Sequence, residues 1–126
     1  RIAEVNGYLR AVIETNPEGL SIAQALDEEP AHQGSSWLGP LHGIPLLLKD
    51  IIVTLDKMET TAGSKVLLGA RTSQEAKIEI VRKLREAGAV ILGKTNMLEW
   101  GMFRINSGGS GWTVRGGLSL GAHCTL

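Results

Sequence analysis

A lysine closing a short apolar run is the residue in this sequence best placed to do chemistry. Ile44-Pro45-Leu46-Leu47-Leu48 is apolar and lacks helical periodicity, which predicts a buried strand, and Lys49 stands at its end. Burial there would draw the amine pKa down from about 10.4 toward neutrality, and only the neutral amine can accept a proton. If the strand continues through Ile51-Ile52-Val53, Asp50 points to the opposite face and need not hold Lys49 charged. Position alone does not make Lys49 a base, because lysines at strand ends are usually exposed or salt-bridged. Lys94, in Gly93-Lys94-Thr95-Asn96, is a second candidate base, and the reading favoured for it is a loop anchor.

The elements that must position these residues can be read in order. Ile2, Val5, Leu9, Val12 and Ile13 recur at helical spacing until Asn16-Pro17, which predicts one amphipathic helix. A second helix is expected from about Ser21 to Glu28, stopped by Pro30, with residues 31–37 a polar loop. Gly39-Pro40-Leu41-His42-Gly43 is turn chemistry, in which His42 has a structural role. A third helix is expected over Glu75 to Ala87, with Ile80, Leu84 and Ala87 on one stripe, Ile78 and Val81 beside it, and Gly88 as a left-handed stop. Ala89 to Leu92 reads as a strand. The order helix, glycine, strand is half of a crossover unit and implies α/β architecture with a mainly parallel sheet. A short helix is expected around Met97 to Phe103, and irregular backbone from Gly108 to Gly121, which holds six glycines.

Composition narrows the function. The 126 residues make one unit with 43% hydrophobic and 21% charged residues, ordinary for a packed globular domain. Thirteen basic residues balance thirteen acidic ones, which argues against binding nucleic acid through charge. No apolar run reaches membrane-spanning length, and the lone Cys124 cannot form an internal disulfide, so a cytoplasmic setting is the expectation. His32, His42, His123 and Cys124 are too scattered for a metal site, and no metal or other cofactor is expected. The glycine-rich run from Gly108 to Gly117 lacks the Gly-Lys-Ser/Thr ending of a phosphate loop.

Three separated blocks, GPLHGIPLLLKD at 39–50, TTAGS at 60–64 and LREAGAVILGKTN at 84–96, resemble the amidase signature family, in that family's order. The resemblance covers nearly the whole chain, most weakly before Gly39 and after Gly117. It implies the N-terminal portion of a mixed-sheet, helix-wrapped α/β fold, with residues 1–126 forming part of a single larger domain. It also implies amide hydrolysis by a Ser, cis-Ser, Lys triad, in which Lys49 takes the catalytic position and no cofactor is used. Trp100, Met102 and Phe103 fall in the segment that in this family lies near a small-molecule amide substrate, so they are expected to line its pocket. The family's two serines belong downstream of the Trp112 to Gly117 block. Ser107 and Ser110 precede that block, and Ser119 lacks the clustered Gly-Ser-Ser pattern, so none is assigned and the chain by itself is expected to be inactive. Lys77-Ile78 stands where the family commonly has Asp-Ala, a departure expected to affect helix capping. Asn96-Met97-Leu98-Glu99-Trp100 favours a general amidase over the A subunit of a glutamyl/aspartyl-tRNA amidotransferase. A reading of another class is an amidase-like remnant or interaction module without catalysis. Oligomeric state is not legible from the residues.

Overall fold

The computed structural model describes residues 1–28, 39–70, 79–102 and 111–123. The chain opens with helix α1, Ile2–Leu9, and turns at Arg10, whose φ of 48° is left-handed. Strand β1, Val12–Thr15, follows. The single helix expected through Ile13 is therefore two elements. Asn6 makes the break: its Nδ2 donates to the Val12 carbonyl at 2.7 Å and its Oδ1 accepts from the Val12 N–H at 2.9 Å. One side chain thus folds the chain back and leaves the β-branched Val12, Ile13 and Thr15 to their strand preference.

Helix α2 spans Gly19–Glu28, and strand β2 spans Pro45–Lys49. A 3₁₀ turn, Lys65–Leu67, is capped by Ser64, whose Oγ accepts from the Val66 N–H. Helix α3 is described over Glu79–Glu86, and the earlier part of the expected helix, with Lys77 and Ile78, lies outside the described residues. Val81 is buried and Leu84 partly so, whereas Ile80 is exposed, so the inward stripe is Val81 and Leu84 rather than Ile80 and Leu84. Gly88 has φ +86° and ends the helix as expected.

Strand β3, Val90–Thr95, is the centre of a three-stranded sheet ordered β1-β3-β2. β2 runs parallel to β3, from Pro45 beside Val90 to Lys49 beside Thr95, and β1 runs antiparallel on the other side. Gly93 fits between them because a Cβ there would lie 2.4 Å from the Glu14 carbonyl oxygen. Leu48 and Ile91 of the sheet pack with Met58 and Val81, joined by Ile52 and Leu84, into the described core. Strand β4, Trp112–Thr113, and strand β5, Gly117–Leu118, form a small antiparallel hairpin within the glycine-rich segment expected to be irregular. This sheet has one parallel and one antiparallel pairing, so it is mixed rather than mainly parallel, and helices pack on it as the α/β reading requires.

Candidate active site

The parallel pairing of β2 with β3 puts two motif ends side by side. Lys49 closes β2 directly beside Thr95, near the end of β3, and a crevice beyond the carboxyl ends of parallel strands is where α/β sheets hold their ligands. Two expectations about this end change. β2 stops at Lys49, and Ile51 to Val53 turn away instead of extending it. Lys49 itself is exposed among the described residues, so the burial anticipated for it is absent here. Among the described residues β2 pairs with β3 alone, and its end faces solvent.

The buried lysine is Lys94. Its residue is fully buried, and its Nζ donates to the Ile52 carbonyl and to Thr60 Oγ1, the latter at 3.0 Å. Desolvation pushes its pKa below the ordinary lysine value, against the opposing fields of Asp50, Asp56 and Glu14. Both acceptors sit in the chain that follows Lys49, so Lys94 ties that chain down. This agrees with its reading as a loop anchor.

Asp50 organises what lies behind Lys49. The residue is completely buried, and its carboxylate accepts from Thr61 Oγ1 at 2.5 Å, from the Gly63 N–H at 2.8 Å and from Arg115 Nη1 at 3.1 Å. Arg115 also binds Glu14 on β1 through Nη2. Asn96 makes a second junction: its Oδ1 accepts from Thr113 Oγ1 at 2.7 Å and its Nδ2 donates to the Gly117 carbonyl at 3.0 Å. Gly63 lies so close to β4 that a Cβ would meet Thr113 Cγ2 at 2.4 Å. The blocks at 39–50, 60–64 and 84–96 therefore converge with the Trp112 to Gly117 segment on one polar junction. Composition and periodicity did not reveal Arg115 as its fourth member. The available signal was one arginine in a glycine-rich, otherwise uncharged stretch, facing a motif that ends in aspartate.

The expected substrate residues are partly placed. Trp100 and Met102 are exposed, in a turn at Glu99–Met102 where Trp100, Gly101 and Met102 all have positive φ, and Phe103 lies outside the described residues. The expected helix is thus replaced by left-handed backbone, which for Trp100 and Met102 is strained. The Trp100 N–H donates to the Ala62 carbonyl at 2.9 Å, and a Cβ on Gly101 would lie 3.9 Å from Ile51 Cδ1. The turn consequently leans on the two loops that flank Asp50. Ser119 Oγ donates to the Arg10 carbonyl at 3.0 Å, while Ser107 and Ser110 lie outside the described residues. Among the described residues no three His, Cys, Asp or Glu side chains are grouped to hold a metal ion, and no helix is long and apolar enough to cross a membrane.

The amidase family profile matches residues 1–123. A putative amidase of Arthroderma benhamiae is 46% identical over 123 residues, covering 98% of this chain and 20% of its own length. A probable amidase of Arabidopsis thaliana is 49% identical over 115 residues, covering 91% of this chain and 22% of its own. The crystal structure of the native peptide amidase from Stenotrophomonas maltophilia superposes with a TM-score of 0.78 at 48% identity, covering 94% of this chain and 23% of that one. The chain thus spans about a fifth of the length of the curated relatives it matches. With its motif blocks in order and its backbone matching a solved amidase, the chain belongs to the amidase family.

Proposed function

We propose that the whole protein hydrolyses a carboxylic amide to an acid and ammonia or an amine, with Lys49 as the base. The observation that carries this is the position of Lys49 at the carboxyl end of β2, beside Thr95 and next to the buried Asp50 junction. In the proposed reaction the Lys49 amine accepts a proton from a bridging serine, which takes one from the nucleophilic serine as it attacks the amide carbonyl. Backbone N–H groups bind the oxyanion, the amine leaves protonated, and water then releases the acid from the acyl-enzyme. Asp50 leaves Lys49 free for this, because its carboxylate is spent on Thr61, Gly63 and Arg115. Trp100 and Met102, exposed on a strained turn against the same loops, are proposed with Phe103 to line the acyl pocket. The named activity of the peptide amidase makes a peptide amide a substrate to try first.

We read residues 1–126 as part of one larger amidase domain and assign turnover to the whole protein. A cytoplasmic setting is proposed on the single Cys124 and is checked by fractionation. The central test is Lys49→Ala in the whole protein. Amide hydrolysis should fall by about 10²-fold or more, the contribution of a positioned general base. A near wild-type rate would remove Lys49 from the mechanism.

A further inference from the structure

Arg115 occupies an unusual place for a residue in a two-strand hairpin. Its side chain is only 12% exposed, and its two terminal nitrogens reach different carboxylates, Nη1 to Asp50 and Nη2 to Glu14. Its backbone N–H donates to the Gly63 carbonyl at 3.1 Å, and Nη1 also lies 3.3 Å from Thr61 Oγ1. Thr61 and Gly63 are themselves donors to Asp50. One arginine therefore ties the end of β2, the 60–64 loop and β1 to the hairpin. Asp50 is one peptide link from Lys49, so any shift of Asp50 is passed directly to the Lys49 backbone.

We propose that Arg115 and Asp50 are positioning residues that fix where Lys49 stands relative to the reacting groups, rather than glue for the fold. This rests on the reading of Lys49 as the base. A planar fork can serve two carboxylates at once along fixed directions, whereas a lysine ammonium at the same place keeps the charge but not the two directed bonds. Displacements of about 1 Å in a catalytic group can cost on the order of 10²-fold in rate without unfolding anything.

The test uses the whole protein and compares Arg115→Lys, Asp50→Asn, their double variant and Lys49→Ala. Turnover is expressed per mole of protein that elutes at wild-type size with a wild-type circular dichroism spectrum. Arg115→Lys should lower kcat by about 10-fold or more while KM stays within about threefold. The double variant should be no slower than the worse single one, since both break the same link. Should Asp50→Asn fail to fold, Glu14→Gln replaces it, freeing one arm of Arg115, and should lower kcat in the same sense by a smaller factor. The proposal is overturned if Arg115→Lys keeps wild-type kcat per folded molecule, if only KM rises, or if the losses multiply. Lys49→Ala separates the two ideas: a fast Lys49→Ala enzyme defeats the base assignment and this proposal together. A dead Lys49→Ala enzyme beside a fast Arg115→Lys enzyme defeats the positioning role alone.

Discussion

Lys94 holds two neutral acceptors, the Ile52 carbonyl and Thr60 Oγ1, in a site from which water is excluded. Desolvation is the dominant influence and lowers its pKa, against the raising fields of Asp50, Asp56 and Glu14. The sign of the linkage follows. Between the lowered folded value and the ordinary 10.5, the unfolded chain binds the proton and the folded one does not, so stability rises with pH across that window. Urea unfolding of the whole protein at several mildly alkaline pH values should show this slope, and Lys94→Met should flatten it. Equal slopes in the two proteins would mean that Lys94 titrates as it does in water. The two lysines also show how far residue reasoning reaches. The apolar run picked out Lys49 by where it stands, but burial depends on what pairs with β2, and Lys94, on the central strand, is the one enclosed.

Elements were legible where one rule dominated. β2, α2, Gly88 and the start of β3 follow from an apolar run, a proline stop, a left-handed glycine and a crossover order, whereas β3 runs past the expected end at Leu92 to Thr95 and so takes in Lys94. The first helix failed because its periodicity runs on through Val12 and Ile13, while a hydrogen-bond pair from Asn6 ends it at Leu9. The signal was present as Asn6-Gly7 inside a supposed helix. The hairpin β4/β5 was hidden for a different reason: its residues are held by Asn96 and Gly63, distant in sequence, not by their own strand preference. That dependence can be tested with two glycines of similar φ. Gly63→Ala, at φ +80°, meets Thr113 Cγ2 and should cost about 2–4 kcal/mol, adding packing strain to left-handed strain. Gly43→Ala, at φ +71° with nothing within 4 Å, should cost only about 1–2 kcal/mol. Denaturant midpoints of the two variants in the whole protein give the comparison, and equal losses would show that the 60–64 loop is not wedged against the hairpin.

At the scale of the molecule, the 126 residues carry apolar side chains on their surface. Ile44, Leu47, Ile51 and Leu55 are each at least 39% exposed, and Val66 is 88% exposed. Ile44, Leu47 and Ile51 lie in or beside β2, which among the described residues pairs with β3 alone. An edge strand with apolar neighbours pairs readily with other chains. Expressed by itself, this stretch should self-associate, with light scattering that rises with concentration, and Leu47→Lys should reduce it. A monodisperse monomer would contradict that expectation.

The link from Glu14 to Arg115 joins residues 101 positions apart, and Asp50 waits 65 positions for the same guanidinium. A ribosome making this protein releases both carboxylates well before their cation exists. Until Arg115 emerges, burying Asp50 leaves its charge without this cation, which opposes docking of the 60–64 loop. This corner should therefore close late in synthesis, once residue 115 joins β2, α3 and β3.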